Sequence, residues 1–155
     1  MIKLTIIIPV YNEIKTIEKL IKKILKINIK KQLIIVDDGS SDGTEQILKK
    51  YKSRIDKLIF HKKNCGKGAA IKSGQKYVRG KYIAIQDADL EYDPRDLKKI
   101  VNEMSKKNIK VMYGSRVLKK NKFKNTQNFT HIVRIWGNIF LTKASNFLNR
   151  QKLTD

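Results

Sequence analysis

The sequence predicts an α/β fold with a mostly parallel sheet flanked by helices. Short, β-branched apolar runs alternate along the 155 residues with segments whose apolar positions recur at helical spacing. Helices placed between strands supply the right-handed crossovers that parallel strands need. Polar residues follow every predicted strand, at the end where open α/β sheets bind ligands. We predict one domain over residues 1–155, with no internal repeat and no linker.

The N-terminal part of the chain alternates between strand and helix. Lys3–Pro9 is apolar and β-branched, which predicts a strand, and the apolar spacing from Ile14 to Leu25 predicts an amphipathic helix. Gln32–Val36 predicts the second strand. A helix follows it, and Ser41 or Asp42 can cap its N-terminus.

The central part repeats this alternation. Ile55–His61 predicts a third strand, and the glycine-containing segment 66–70 opens a helix that stops at Gly80. Lys81–Gln86 is the fourth apolar run. Pro94 suits the first turn of the next helix because its φ is fixed near the helical value.

The C-terminal part is predicted to hold one more strand and one more helix. Ile109–Tyr113 is apolar and predicts the fifth strand. Residues 119–128 are rich in lysine and asparagine without periodicity, which indicates a loop. His131–Asn149 then carries an apolar stripe and a polar stripe, as an amphipathic helix does.

Composition narrows the function classes without choosing among them. Hydrophobic residues make up 41%, enough for a packed core, and no window reaches the ~20 apolar residues of a membrane span. The single cysteine, Cys65, excludes an internal disulfide and fits a reducing compartment. The net charge of +21 is compatible with binding to nucleic acid, to an anionic membrane or to phosphorylated substrates. The lysines are scattered along the sequence, however, as they also are on solvent-exposed faces of helices.

The most informative motif is the acidic pair in Asp87-Ala88-Asp89, directly after the fourth strand. Carboxylate oxygens are the ligands that Mg²⁺ or Mn²⁺ prefers, and such ions keep coordination positions for substrate phosphates. Acidic pairs at strand ends also form turns and helix caps, so the motif alone leaves both readings open.

Two other strand ends carry motifs typical of nucleotide folds. The turn at residues 37–40 reads Asp-Asp-Gly-Ser, which makes a good strand-to-helix turn and can also bind a nucleobase or ribose. The glycine-containing segment that ends in Gly66-Lys67-Gly68 can admit a phosphate to a helix N-terminus, yet it is not a Walker A loop. We expect Cys65 to be inert, and neither His61 nor His131 has a catalytic partner visible in the sequence.

Taken together, these motifs resemble the inverting family-2 glycosyltransferases of the GT-A fold, in particular the polyprenyl-phosphate and dolichol-phosphate sugar synthases. The matching segments follow the family's order and are residues 8–13 (Ile-Pro-Val-Tyr-Asn-Glu), 36–44 (Val-Asp-Asp-Gly-Ser-Ser-Asp-Gly-Thr), 64–70 (Asn-Cys-Gly-Lys-Gly-Ala-Ala), 86–91 (Gln-Asp-Ala-Asp-Leu-Glu) and 113–116 (Tyr-Gly-Ser-Arg). The resemblance covers essentially the whole chain. As a set, the motifs are far more specific than any one of them.

The resemblance implies roles for the matching residues. Asp87 and Asp89 would hold Mg²⁺ or Mn²⁺, with Glu91 as a further ligand. The donor would be a nucleotide sugar of the GDP-mannose or UDP-glucose type. The residues implied in substrate binding on the donor side are Pro9, Tyr11, Asn12, Glu13, Asp37, Asp38, Ser40, Lys67, Gly68 and Ala88.

The acceptor side lies later in the chain. By the same resemblance Arg116 would contact the acceptor phosphate, helped by Arg134 and Asn138, although these last two also fit a solvated helix face. Asp155 would be a base or an acceptor-orienting carboxylate. Family members usually continue beyond this point, so the resemblance implies a fragment in which donor binding survives better than transfer.

The expected function is inverting, metal-dependent transfer of a hexose from a nucleotide sugar to a polyprenyl phosphate. It would take place at the cytoplasmic face of a membrane, where the positive charge attracts an anionic leaflet. Three alternatives stay open: a family-2 transferase acting on a glycan or lipid hydroxyl, an inactive fragment that binds nucleotide sugar, and a basic nucleic-acid module. No nucleic-acid partner is expected, since no recognition motif for one is present.

Overall fold

The computed structural model describes residues 1–112, and within them Met1–Lys110 forms one compact unit. The strands are β1 (Leu4–Val10), β2 (Lys31–Asp37), β3 (Lys57–Phe60) and β4 (Tyr82–Ile85). The helices are α1 (Ile17–Leu25), α2 (Thr44–Lys50), α3 (Lys67–Gln75) and α4 (Asp96–Lys107), with a short 3₁₀ turn at Lys52–Arg54.

The four strands form one parallel sheet in the order β3-β2-β1-β4. The chain therefore moves outward from β1 to β3 and then returns to the other side of β1 for β4. Such a reversal of strand order opens a crevice at the carboxyl ends of the two strands that flank it, here β1 and β4. The predicted mostly parallel α/β sheet is confirmed.

Helices lie on both faces of the two central strands, which explains why β1 and β2 are buried along almost their whole length. On one face, side chains of α1, α2 and α4 pack on alternate residues of β1 such as Ile6 and Ile8. On the other face α3 packs on Ile7, Ile34 and Val36. Gly74 of α3 lets this helix approach closely, because a Cβ there would lie 3.0 Å from Ile7.

The element bounds differ from the sequence-based expectation mainly at the ends. α1 begins at Ile17 rather than near Ile14, and α4 begins at Asp96, two residues after Pro94. Of the predicted fifth strand, residues 109–112 form no strand, and Tyr113 lies outside the described residues. Asn108 ends α4 with a left-handed φ of 51°, which turns the chain away from the helix axis.

In the described part of the chain, no helix combines the length and the apolar character needed to cross a membrane.

Candidate functional site

The parallel register brings four strand ends to one edge of the sheet. Val10 pairs with Asp37, and Asp37 pairs with Phe60, so the segments after β1, β2 and β3 begin at the same level. On the other side of β1, Ile85 pairs with Ile7 and the N–H of Gln86 continues the ladder to the Ile7 carbonyl at 3.0 Å. The polar motifs after the strands are therefore neighbours in space.

The segments after β1 and β2 are joined by reciprocal hydrogen bonds. The Asn12 N–H donates to Ser40 Oγ and the Ser41 N–H donates to Asn12 Oδ1, both at 2.9 Å. Asn12 adopts a left-handed φ of 54°, which asparagine tolerates better than most residues. The Ser40 hydroxyl in turn donates to Asp37 Oδ1. These polar atoms of Asn12 and Ser40 are therefore already hydrogen-bonded within the protein.

Asp42 links the same two segments further along the chain. Its Oδ1 accepts the N–H and the hydroxyl of Thr44 at 2.9 and 2.6 Å, and its Oδ2 accepts the N–H of Ile14 at 3.0 Å. Of the two capping residues that the sequence offered, the structure therefore selects Asp42. Asp42 lies one residue before Gly43, which is the N-cap residue of α2.

The two consecutive aspartates at the end of β2 are both buried, with 1% and 2% exposure for Asp37 and Asp38. Burial raises the pKa of Asp37, and the hydrogen bonds from Ser40 offset this only in part. Burial also raises the pKa of Asp38, but the hydrogen bonds from His61, Cys65 and Gly66 outweigh it, so the pKa lies below its usual range. Asp38 is therefore the more firmly ionised of the two.

The Asp38 carboxylate is saturated by partners from the β3 side. Oδ1 lies 2.6 Å from His61 Nδ1, and the N–H groups of Cys65 and Gly66 reach the carboxylate at distances down to 2.7 Å. Gly39 allows this approach, since a Cβ at its φ of +76° would lie 2.7 Å from the backbone of Lys63. The turns after β2 and β3 are consequently in direct backbone contact.

Asp38, His61 and Cys65 are also close enough to be considered as metal ligands, since one ligand atom from each lies within 4.8 Å of the others. A mixed set of imidazole, carboxylate and thiol donors of this kind suits Zn²⁺. Here, however, His61 Nδ1 faces Asp38 directly at 2.6 Å, and the carboxylate already has backbone donors. We assign the group as a hydrogen-bonded cluster, because an ion would have to break these bonds.

The end of β4 has a different character. Asp87 is partly exposed and Asp89 is exposed, with the buried Ala88 between them. Lys67, the first residue of α3, places its Nζ 2.5 Å from Asp87 Oδ1. Asp89 Oδ1 accepts the N–H of Glu91 at 2.9 Å, across a turn in which Leu90 adopts a left-handed φ of 66°.

These residues fit the divalent ion that the family resemblance implies. The Lys67 ammonium pairs with Asp87 Oδ1, so this partly exposed carboxylate is accessible to a positively charged group. Two carboxylates one residue apart offer hard oxygen ligands at the mouth of the β1–β4 crevice. That Asp87 and Asp89 hold the ion, with the exposed Glu91 as a further ligand, stays a prediction.

The remaining predicted residues are distributed as follows. Tyr11, at the end of β1, is 46% exposed, whereas Pro9 is buried within that strand. Glu13 accepts a hydrogen bond from the Thr16 hydroxyl, and its N–H donates to Thr44 Oγ1 at 2.9 Å. Gly68 is exposed in the first turn of α3. The acceptor-side predictions, Arg116, Arg134, Asn138 and Asp155, lie outside the described residues.

The sequence-based reasoning missed the role of His61. It found no partner for this residue, but the structure provides two, Asp38 and Ser73. The available signal was positional, because His61 follows β3 as Asp38 follows β2, and adjacent parallel strands bring such residues together. Ser73 gave no comparable signal.

Comparison with known proteins assigns the chain to a family. Open parallel α/β sheets bind ligands, nucleotides among them, at the point where the strand order reverses. Residues 5–155 match the family described as Glycosyl transferase family 2, which is nearly the whole chain. The protein belongs to this family, which confirms the resemblance read from its motifs.

Curated relatives include sugar transferases that act on lipid phosphates. The chain is 30% identical over 122 residues to dodecaprenyl-phosphate galacturonate synthase of Rhizobium johnstonii, covering 74% of this chain and 36% of the relative. It is 34% identical over 133 residues to dolichyl-phosphate beta-glucosyltransferase of Dictyostelium discoideum, covering 74% and 40%. The chain spans between 32% and 42% of the length of relatives with such names.

Solved structures confirm the predicted GT-A fold. S. aureus TarS residues 1–349 in complex with UDP aligns with a TM-score of 0.60 at 25% identity, covering 68% of this chain and 32% of TarS. A mannosyltransferase from Pyrobaculum calidifontis in complex with GDP-Man and Mn²⁺ aligns with a TM-score of 0.56 at 26% identity, covering 64% and 30%. Both are nucleotide complexes, and one of them also contains a divalent metal.

Proposed function

We propose that this chain is the donor-binding part of an inverting, metal-dependent glycosyltransferase that passes a hexose from a nucleotide sugar to a polyprenyl phosphate. The observation that carries the proposal is that Asp87 and Asp89 directly follow β4, beside the point where the strand order reverses, and that the Asp87 carboxylate lies within reach of the Lys67 ammonium. The named relatives, which use dodecaprenyl and dolichyl phosphates, support the lipid acceptor.

The described residues divide the work of donor binding. The exposed ring of Tyr11 offers a face for the nucleoside, and the buried turn after β2 forms the wall beside it. Lys67 can turn from Asp87 to the donor's phosphates, which carry charge of the opposite sign. The first N–H groups of α3 have no intrahelical carbonyl to bond, so they favour an anion as well.

The chemistry follows from the charges of donor and acceptor. A divalent ion bound by Asp87 and Asp89 would neutralise the charge that develops on the nucleoside diphosphate as it leaves. A lipid phosphate is already ionised near neutral pH, so it needs less help from a base than a hydroxyl does. Attack on the face opposite the leaving group inverts the anomeric centre. Arg116, with Arg134 and Asn138, is proposed to hold this acceptor, and Asp155 to orient it.

We place the enzyme at the cytoplasmic face of a membrane as a peripheral protein. The net charge of +21 supports this placement, because each lysine or arginine near an anionic leaflet contributes ~1 kcal/mol of attraction. Sedimentation with vesicles of phosphatidylglycerol compared with phosphatidylcholine tests it. Equal binding to both would contradict the placement.

Calorimetric titration tests the donor site. We expect the 155-residue chain to bind either UDP-glucose or GDP-mannose in the presence of Mn²⁺, and to lose that binding in EDTA. No binding of either donor by a chain that melts cooperatively would contradict the proposed donor class.

A product screen with polyprenyl phosphate and with sugar acceptors then separates the lipid-phosphate transferase from one that acts on a hydroxyl. Donor binding without any product would indicate the inactive, nucleotide-sugar-binding alternative.

A further inference from the structure

A continuous chain of side-chain contacts runs from β2 through β3 to α3. Asp38 Oδ1 lies 2.6 Å from His61 Nδ1, and His61 Nε2 lies 2.9 Å from the hydroxyl of Ser73 in α3. The histidine side chain is only 15% exposed and the aspartate side chain 4%. Because Asp38 is ionised, we assign the Nδ1 proton to His61 as donor, which leaves Nε2 to accept from Ser73 when the ring is neutral.

The same carboxylate holds the backbone that leads into α3. The Cys65 N–H reaches both Asp38 oxygens at 3.0 and 3.1 Å, and the Gly66 N–H reaches Oδ2 at 2.7 Å. These two residues directly precede Lys67, which begins α3 and contacts Asp87. Asp38 therefore restrains the turn that leads to Lys67 and the first α3 amides, together with Asn64 Oδ1, which also accepts the Gly66 N–H at 2.9 Å.

We propose that His61 is a positioning residue for the donor site, acting through Asp38 on the Cys65–Gly66 turn. His61 fixes one oxygen of the carboxylate, so the other oxygen is held in line with the Gly66 N–H. The turn then presents the N-terminus of α3 to the donor's diphosphate in one conformation, and this preorganisation lowers the entropic cost of binding. The inference rests on the proposed donor site and extends it to His61, for which no contact with the donor is proposed.

A catalytic triad would use the same three residue types, but the surroundings favour positioning. The aspartate of a triad chiefly orients its histidine, whereas Asp38 also binds two backbone N–H groups. Ser73 lies in the C-terminal half of α3, the helix that packs on the face of the sheet that includes Ile7, Ile34 and Val36. The chain of contacts therefore serves to fix the turn.

The test compares three substitutions of His61 in the 155-residue chain. His61→Asn can keep a donor where Nδ1 stands, His61→Gln places its amide nearer the Nε2 position, and His61→Ala keeps neither. We expect amide hydrogen exchange at Cys65 and Gly66 to accelerate about tenfold in the Ala and Gln variants and to stay near wild type in the Asn variant. Ser73→Ala, which leaves the Asp38 contact in place, is expected to have a smaller effect.

Donor affinity is measured on the same proteins, with Mn²⁺ and whichever of UDP-glucose or GDP-mannose the wild-type chain binds. We expect about a tenfold loss for the Ala and Gln variants and a recovery to within about threefold for the Asn variant. Where turnover is measurable, KM for the donor rises while kcat stays the same. A simple structural role would instead make affinity follow the melting temperature, without recovery in His61→Asn.

The outcomes separate this inference from the proposed function. Unchanged exchange at Cys65 and Gly66 in His61→Ala overturns the positioning role, as does faster exchange with undiminished donor affinity. If the wild-type chain binds neither sugar nucleotide, the donor assignment fails. The exchange comparison among the three variants then still decides whether His61 positions the turn.

Discussion

Two acidic strand ends in the same sheet have opposite environments. At the end of β2, Asp38 is 2% exposed and its carboxylate is surrounded by donors from His61 and the following turn. At the end of β4, Asp87 and Asp89 are at least partly exposed, and the nearest described partner of Asp87 is the ammonium of Lys67.

This difference separates two uses of a carboxylate. Asp38 is hydrogen-bonded by groups of its own protein, so its charge stabilises the turns after β2 and β3, and its contact with a donor stays a prediction. The charges of Asp87 and Asp89 are less completely compensated within the described residues, so they remain available to a cation. Changes at the β2 end should therefore appear first in stability, and changes at the β4 end first in binding.

The largest expected effect is on binding at the β4 end. Asp89→Asn should weaken Mn²⁺-dependent donor binding by at least ~100-fold, because a carboxylate ligand to an ion that contributes several kcal/mol is lost. The melting temperature should change little. Calorimetry with Mn²⁺ and the bound donor measures the affinity. Asp96→Asn is the matched control, since Asp96 is also exposed but pairs with Lys99 on α4. Equal donor affinity in the two variants would contradict the metal assignment.

The next effect is on stability at the β2 end. Asp38→Ala should lower the free energy of unfolding by about 3 kcal/mol, because His61 and the Cys65 N–H lose their acceptor and the Gly66 N–H keeps only Asn64 Oδ1. Urea unfolding followed by circular dichroism measures this loss. Asp89→Ala is the control and should stay within about 0.5 kcal/mol of wild type, as exposed positions usually do. A similar loss in both variants would remove the distinction between the two strand ends.

The pH dependence of stability sharpens the comparison within the β2 end itself. The pKa of Asp38 is lowered in the folded state, so its contribution is fully present above about pH 5 and is lost as the pH falls below ~3.9. The pKa of Asp37 is raised, so its contribution has the opposite sign and is lost as the pH rises.

Asp38→Asn should therefore flatten the acid-side fall of the unfolding free energy, and Asp37→Asn should steepen it. Urea unfolding at a series of pH values between 3 and 7 measures both slopes. The pKa of Asp42 is also lowered, and Asp42 is present in every variant, so the free energy of unfolding still falls somewhat at acid pH in all of them. Parallel slopes for the two asparagine variants would show that the neighbouring carboxylates are not distinguished by the fold.

The sequence was sufficient for the fold, and it was insufficient for the state of each side chain. Periodicity identified the four described strands, and the polar residues that follow them do meet at one edge of the sheet, where ligand binding stays a prediction. The motif at residues 37–40 and the motif at residues 87–89 looked alike as acidic pairs. Only the register of β2 against β3 brings His61 to Asp38, and that register depends on long-range packing.

The same limit explains why Asn12 and Ser40 were expected to bind the substrate. Both lie in motifs that match the family, but each also bonds across the gap between the β1 and β2 segments. A sequence shows which polar groups stand at a strand end, and the fold determines which of them face one another. Contacts with the donor at these two positions stay a prediction.

The smallest expected effect concerns Lys67, which connects the two strand ends. It follows the turn that Asp38 holds and contacts Asp87, so it competes with a metal ion for that carboxylate. Lys67→Gln should tighten Mn²⁺ binding in the absence of donor by no more than about fivefold, because partly exposed ion pairs contribute at most ~1 kcal/mol. The same variant should weaken donor binding, since a cation near the phosphates is lost.

Calorimetric titration with Mn²⁺ alone and then with donor present measures these two opposite changes. Lys99→Gln removes the same charge from an exposed pair with Asp96 and should change neither affinity. The gain in Mn²⁺ affinity should shrink as salt is added, because salt screens the exposed Lys67–Asp87 pair that the ion must replace. If Lys67→Gln weakens Mn²⁺ binding instead, the Lys67 ammonium supports the metal site and does not compete with the ion for Asp87. In that case the β2 and β4 ends cooperate in metal binding through the Lys67 side chain.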